Sequence, residues 1–130
     1  MKKINLVVIV LCILALTLAS CGSKSSNSAA QTVADYITAL VNKDSATLSS
    51  LSCADWETSA QLELDSLQAV ETRLEGLSCA VEGTDGATSQ VNCQGKIIAT
   101  YNNEDQEIDL SVRTYQVVQQ GGDYLVCGYQ

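Results

Sequence analysis

The sequence predicts an α+β domain in which N-terminal helices pack on a curved, four-stranded antiparallel sheet in meander order. From residue 30 to residue 78, apolar residues recur every three or four positions, which is typical of amphipathic helices. After residue 78 they alternate with polar residues, and turn sequences interrupt the pattern at intervals, which favours antiparallel strands. A helical layer on one side of a sheet follows from this order.

The first twenty residues have the layout of an export signal. Lys2 and Lys3 precede an apolar run from residue 4 to residue 18, and the small residues Ala19 and Ser20 follow it. As a helix, this run of about 15 residues would be about 22 Å long, which is short of the ~30 Å hydrocarbon core of a membrane. We therefore predict that residues 1–20 are a removable signal peptide, with Cys12 inside it.

The junction after this leader resembles the lipobox of bacterial lipoproteins. It reads Leu18-Ala19-Ser20-Cys21, and the resemblance implies that the thiol of Cys21 receives a diacylglycerol and becomes the new N-terminus. Each buried acyl methylene contributes about 0.8 kcal/mol to membrane binding, so several chains would hold the protein on the bilayer. An ordinary secretory signal that contains a cysteine is the alternative. Residues 21–29 are small and polar and are expected to form a flexible tether.

Three helices are expected in the domain that follows, residues 30–130. The first carries an apolar stripe, and the second is short and follows Asp44 as N-cap. The third is expected to extend about twenty residues, from Asp55 as N-cap to a stop at Gly76. The apolar positions of the first and third helices are Ala30, Val33, Ile37, Leu40, Val41, Trp56, Ala60, Leu64, Leu67, Val70, Leu74 and Leu77.

Four strands are expected after the helices, at residues 78–83, 87–102, 107–119 and 124–129. Turns are indicated by Thr84-Asp85-Gly86, Asn103-Glu104 and Gly121-Gly122. Pairing Tyr101 with Gln106 and Gln120 with Asp123 divides the side chains into two faces. The inner face would comprise Cys93, Ile97, Ala99, Ile108, Leu110, Val112, Val118, Leu125 and Cys127. The outer, solvated face would comprise Lys96, Glu107, Asp109, Ser111 and Arg113.

Four cysteines follow Cys21, and an even number in an exported domain favours two disulfides. Pairing Cys53 with Cys79 would join the ends of a helix about 30 Å long, whereas bridged Cα atoms lie within about 7 Å. Pairing Cys79 with Cys127 would span about 14 Å across the meander. Cys79 with Cys93, and Cys53 with Cys127, is therefore favoured, and the second bridge would contribute about 4 kcal/mol. Structural zinc is the alternative, but the sequence has neither His nor a C-x-x-C pair.

The domain resembles the cone-shaped α+β fold of nuclear transport factor 2, ketosteroid isomerase and scytalone dehydratase, which also occurs in uncharacterised bacterial lipoproteins. The features that carry the resemblance are Val33-Ala34-Asp35-Tyr36, Ala39-Leu40 with Lys43-Asp44, and the closing residues 121–126. Few residues separate Leu51 from Asp55, so the hairpin that usually precedes the long helix is expected to be missing. The resemblance implies a cone cavity, and the candidate pocket residues are Tyr36, Tyr101, Gln116 and Tyr129.

The composition argues against several functions. Removal of Lys2 and Lys3 would leave five basic against fifteen acidic residues, changing the net charge from −8 to about −10, which disfavours binding to nucleic acid. Catalysis is not expected, because His is absent and the adjacent Asp35 and Tyr36 would point about 100° apart on a helix. The alternating oxygen ligands from Asn103 to Asp109 lack the Gly and the distal Glu of a calcium loop, so neither a metal nor a cofactor is expected.

These observations favour a membrane-tethered lipoprotein of the bacterial cell envelope, facing the periplasm or the exterior. Its domain would bind a small ligand or an envelope protein without catalysing a reaction. One alternative is a small hydrolase or isomerase that uses buried carboxylate and tyrosine groups. Another is a structural accessory protein of the envelope that takes no small ligand.

Overall fold

The structure, a computed structural model, describes residues 28–130, which form an α+β fold as predicted. Three helices, α1 (Ala29–Val41), α2 (Ser45–Ser50) and α3 (Ala54–Ser66), pack with an open antiparallel sheet. The strands are β1 (Glu71–Asp85), β2 (Thr88–Tyr101), β3 (Glu104–Asp109), β4 (Thr114–Gln120) and β5 (Asp123–Tyr129). The predicted signal peptide, Cys21 and nearly all of the tether lie outside the described residues.

The first two helices begin at side-chain caps. Ser28 accepts a hydrogen bond from the backbone N–H of Gln31 at 3.2 Å and starts α1. Asp44 accepts one from the N–H of Thr47 at 3.0 Å, which confirms the predicted N-cap of α2. The apolar stripe of α1 is fully buried against the sheet, as expected for a surface helix with one apolar face.

The third helix is shorter than predicted. It begins after Cys53 rather than at Asp55, and it ends at Ser66 rather than at Gly76. Residues 71–77, assigned to the helix from their apolar spacing, are instead the first part of β1. The predicted first strand, residues 78–83, is therefore too short by seven residues at its beginning.

A β-bulge explains this error. The pairing of β1 with β2 shifts between Glu75 and Ser78, where Gly76 has a φ of +66°. The extra residue places Leu74 and Leu77, three positions apart, on the same side of the strand. On β2, Gly95 (φ +102°) lies opposite the bulge, and a Cβ there would be 2.6 Å from the Glu75 carbonyl oxygen. Only glycine fits at this position.

The sheet has five strands rather than four, because the predicted third strand is divided into β3 and β4. Both pair with the same side of β2, β3 with its last residues and β4 with its first, so the path β1-β2-β4-β5 keeps the meander order. Asn102 and Asn103 both have positive φ and make a two-residue turn, so Tyr101 pairs with Glu104 and not with Gln106. The pairing of Gln120 with Asp123 agrees with the prediction.

The break between β3 and β4 reverses the side on which the following residues lie. Ile108 and Leu110 face the core as predicted, but Val112 is 74% exposed. On β4 the core residues are Tyr115 and Val117, so the pair Val118 and Leu125 lies on the other face. The assignment of Val112, Val118 and Leu125 to the inner face was wrong, and so was that of Arg113 to the solvated face.

Two disulfides join Cys53 to Cys127 and Cys79 to Cys93, the pairs that the sequence favours, with Cα–Cα distances of 5.2 and 4.0 Å. Cys127 lies at a bulge of β5, between the partners of Gln116 and Val117. Three residues, Leu51 to Cys53, connect α2 to α3 and leave no hairpin there. Among residues 28–130, no helix has the length and hydropathy required to span a bilayer.

Candidate functional site

The four residues predicted to line a pocket do not come together. Tyr36 on α1 is fully buried, and Tyr129 on β5 is half-buried nearby. Tyr101 is 60% exposed, so its predicted inward orientation was wrong. It lies ten residues along β2 from Val91, the partner of Tyr115, which is about 33 Å in a straight strand. Gln116 follows the buried Tyr115 and therefore points to the opposite face of the sheet.

Tyr36 and Tyr129 belong to a cluster of four aromatic side chains. The Tyr115 ring lies between them, with centroid distances of 6.2 Å to Tyr36 and 5.4 Å to Tyr129. Trp56 packs edge-on against Tyr129 at 5.4 Å, and its indole N–H donates to the Tyr36 hydroxyl at 3.0 Å. Helices α1 and α3 thus meet strands β4 and β5 through rings in the favourable edge-to-face arrangement.

A partly buried ion pair lies against these rings. Arg113 Nη1 donates to Glu63 Oε1 at 2.6 Å, and the two side chains are 19% and 17% exposed. The Arg113 guanidinium also stacks over the Tyr129 ring at 4.4 Å, and the Tyr129 hydroxyl donates to Glu63 Oε1 at 3.3 Å. We call these six residues, Tyr36, Trp56, Glu63, Arg113, Tyr115 and Tyr129, the Glu63 cluster.

Burial and charge keep the tyrosines of the Glu63 cluster protonated at neutral pH. Desolvation, reinforced by the Glu63 carboxylate and only partly opposed by Arg113, raises the pKa of Tyr115 to about 12. Desolvation also raises the pKa of Tyr36 well above its ordinary value, although the bond from Trp56 opposes this. The pKa of Tyr129 is raised by desolvation and by Glu63. These hydroxyls are therefore neutral hydrogen-bonding groups.

Arg113 remains a cation within the cluster. Burial alone would lower its pKa, but the nearby carboxylate of Glu63 and the hydroxyl of Tyr115 raise it above the ordinary value. The pair therefore carries one positive and one negative charge and is neutral as a unit. Such a pair stays ionised inside a protein only when its partners remain in contact.

Two polar atoms of the cluster have no hydrogen-bond partner among residues 28–130. They are Glu63 Oε2 and the hydroxyl oxygen of Tyr115, and both are buried. The Arg113 guanidinium is close enough to affect the pKa of Tyr115, yet it does not reach the hydroxyl in hydrogen-bond geometry. Chemically, the cluster offers an acceptor oxygen and a hydroxyl that donates or accepts.

The outer face of the sheet holds the acidic residues that alternate along β3. Two of them, Glu107 and Asp109, line a shallow depression of about 420 Å³ beside Gly76 and Gly95. Glu107 is paired with Lys96 at 2.7 Å, Asp105 with Arg73 at 2.8 Å, and Asp109 accepts from Ser111. These carboxylates are already bonded, and no group of three or more potential metal ligands occurs in the part of the chain that the structure describes.

Four residues of the cluster were not among the candidate pocket residues. Trp56 was predicted only as part of a helix stripe, and Glu63 lies between two leucines of a helix and looks like an ordinary surface residue. Arg113 was assigned to the solvated face because the break between β3 and β4 cannot be seen from alternation alone, and Tyr115 was assigned to neither face. The signal that could have found Arg113 and Tyr115 is their spacing. A cation and an aromatic residue lie two positions apart where a strand of the apolar sheet begins.

No protein-family model matches this sequence, and no curated protein matches it. Aln2 from a Streptomyces species has a similar structure, with a TM-score of 0.54 over 76% of this chain and 82% of that chain at 12% identity. RPA3114, a SEC-C motif containing protein from Rhodopseudomonas palustris, is similar with a TM-score of 0.52 over 78% of each chain, also at 12% identity. At this identity the similarity concerns the fold alone.

Proposed function

We propose that this protein is a lipid-anchored lipoprotein of the bacterial envelope whose domain binds a ligand or a protein partner without catalysis. The observation that carries the proposal is that the four cysteines after Cys21 are all paired with one another. Disulfides persist outside the reducing cytosol, so the domain belongs to an oxidising compartment. An export leader followed by a lipobox is the simplest route to that compartment.

The anchor is tested by metabolic labelling of natively expressed protein with an alkyne fatty acid. We expect the wild-type chain to be labelled and to sediment with membranes, and Cys21→Ser to lose both properties. Cys12→Ser is the matched control and should behave as wild type, because Cys12 lies in the leader. Wild-type protein whose intact mass still includes residues 1–20 would contradict the proposal.

Binding without catalysis is favoured by the state of the Glu63 cluster. Glu63 is held by Arg113 at 2.6 Å, and the tyrosine hydroxyls keep their protons at neutral pH. One oxygen of Glu63 is thus already engaged, and tyrosines with raised pKa values are weak acids. The cluster is therefore better suited to hold a molecule than to transform it.

Binding is tested by native mass spectrometry of full-length protein purified in mild detergent from its own envelope. We expect a reproducible additional mass, either of a small molecule or of a protein, on the wild-type chain. A chain that is always found alone would favour the structural envelope role instead.

A second candidate is a small hydrolase or isomerase, and one observation favours it. The free Glu63 Oε2 lies in the same buried cluster as the Tyr115 hydroxyl, which is the kind of pair that acid–base catalysis uses. The substitution Glu63→Gln separates the two functions, because it removes the base and keeps a side chain of the same shape. If a bound molecule recovered from Glu63→Gln is chemically intact but is converted by the wild type, the protein is an enzyme.

A further inference from the structure

We propose that Glu63 Oε2 and the Tyr115 hydroxyl together bind one small neutral molecule that both donates and accepts hydrogen bonds, such as an alcohol or a primary amide. The inference rests on the proposed binding function and names its ligand class.

The two unpartnered atoms point to a ligand. Tyr115 is 0% exposed, yet no group among residues 28–130 bonds to its hydroxyl. Glu63 is 17% exposed, and its Oε2 atom is buried and unbonded although Oε1 makes two hydrogen bonds. Buried polar atoms without partners are rare in folded proteins, because they lose their hydration and gain nothing in exchange. The Glu63 carboxylate is close enough to raise the pKa of Tyr115, so we infer that one polar occupant serves both atoms.

The charge of the cluster selects a neutral ligand. Arg113 already neutralises Glu63 at 2.6 Å. An additional cation or anion would be transferred from water into the interior without a counter-charge, which is strongly unfavourable. A neutral ligand avoids this cost.

The hydrogen-bonding groups of the cluster set the pattern that the ligand must have. A carboxylate only accepts, so the ligand must donate to Glu63 Oε2. The protonated Tyr115 hydroxyl is then available to donate to an oxygen of the ligand. The Trp56 N–H and the Tyr129 hydroxyl are already engaged, with Tyr36 and with Glu63. A hydroxyl group or a primary amide supplies one donor and one acceptor within a few ångströms, which fits this pattern.

Burial differs between the two sides of the cluster. Tyr36 and Tyr115 are fully buried, whereas Arg113 is 19% exposed and Tyr129 is half-buried. A ligand that enters from solvent would therefore meet Arg113 and Tyr129 first.

The test uses full-length protein in detergent micelles, with ring-labelled tyrosine observed by NMR during titration with acetamide. We expect saturable shifts of the Tyr115 and Tyr129 resonances. Loss of the one hydrogen bond in Tyr115→Phe should weaken binding roughly three- to tenfold. Tyr101→Phe, which changes an exposed tyrosine far from the cluster, is the matched control and should bind as wild type. Neither ammonium nor acetate at the same ionic strength should compete.

Three outcomes would overturn the proposal: equal affinity in Tyr115→Phe, shifts that never saturate, or competition by ammonium or acetate. If Tyr115→Phe failed to fold, the competition on wild-type protein would still decide. Failure here is distinct from failure of the proposed function, since Cys21 labelling and a co-purified partner are measured independently of acetamide.

Discussion

The two edges of the sheet are stabilised in different ways. Along β5, the connection between α2 and α3 lies beside the strand: Val126 donates to Leu51 at 2.8 Å, and Cys53 donates to Val126 at 2.9 Å. The Cys53–Cys127 bridge fixes this contact, and the Trp56 ring covers Gly128. Residues far apart in sequence therefore close this edge.

At the opposite edge, the outer end of β1 depends on neighbours in sequence. Residues 78–85 pair only with β2 in the part of the chain that the structure describes, and most of them are exposed, including Val81 at 46%. The Cys79–Cys93 bridge joins strands that are already paired. The two bulges of β1 blunt this edge against association with other strands. The difference teaches that the β5 edge carries long-range contacts and the Glu63 cluster, whereas the outer end of β1 is a local hairpin.

Removal of the Cys53–Cys127 bridge is the most direct test of this difference between the two edges. We expect Cys53→Ala with Cys127→Ala to lower the free energy of unfolding by about 4 kcal/mol, because the bridge closes the longer loop. Urea unfolding of the natively expressed protein measures this loss. The matched control is Cys79→Ala with Cys93→Ala. This bridge joins residues only 14 positions apart, so its removal should lower the free energy of unfolding by at most about 3 kcal/mol. A larger loss in the control would mean that β1 carries the long-range stability instead.

The substitution Gly95→Ala tests the bulge at Gly76, which joins the outer end of β1 to the rest of the sheet. A Cβ at residue 95 would be 2.6 Å from backbone atoms of Glu75 and Gly76, so the bulge must move, at a cost of about 3 kcal/mol. Gly122→Ala is the control, since Gly122 also has a positive φ but nothing within 4 Å of the added atom. Gly122→Ala should lower the free energy of unfolding by about 1 kcal/mol, as measured by thermal or urea unfolding. Equal losses of stability in Gly95→Ala and Gly122→Ala would show that β1 and β2 are not packed tightly at the bulge.

Much of the fold could be predicted from the sequence, and the errors have one physical origin. The strand order and the last hairpin followed from alternation and turn residues. The bulge at Gly76 set Leu74 and Leu77 three positions apart, which is also the spacing of a helix face. The division between β3 and β4 changed which residues of β4 face inward. A bulge or a break in a strand is invisible to periodicity, yet it changes which face the residues beyond it occupy.

The candidate site could be predicted only in part, for a related reason. Tyr36 and Tyr129 were found because one lies on a clear helix stripe and the other in the last strand. Glu63 and Arg113 are fifty residues apart. The other charged residues of α3 are exposed, and Arg113 precedes β4, a strand that has no charged residue. Local sequence therefore gives no sign that the two are buried together. Their contact depends on how α3 packs against the start of β4, which is a tertiary property.

The Arg113–Glu63 ion pair, on the β5 side of the sheet, is expected to contribute more to stability than the Arg73–Asp105 pair beside β1. Arg113→Met removes the partner of the buried Glu63 and should lower the free energy of unfolding by about 2 kcal/mol, less than for a fully buried pair because both side chains retain some exposure. Arg73→Met is the control, because the Arg73–Asp105 pair is exposed and its loss should leave the urea midpoint unchanged. Adding Glu63→Gln to Arg113→Met should restore part of the loss. No difference between the two arginines would contradict the burial of the Glu63 cluster.

The smallest expected effect is an alkaline destabilisation that comes from the β5 side. The pKa of Tyr115 is about 12 in the folded protein and about 10 in the unfolded chain, so its contribution is fully present below pH 10. Above pH 10 the unfolded chain ionises first, and the stability that Tyr115 alone contributes should fall by about 1 kcal/mol by pH 11. Urea unfolding at pH 8 and pH 11 measures this, with Tyr115→Phe expected to reduce the difference and Tyr101→Phe to leave it unchanged. If Tyr115→Phe had the same pH dependence as wild type, the Tyr115 hydroxyl would not be buried in the folded state, and the contrast between the two edges would lose its chemical basis.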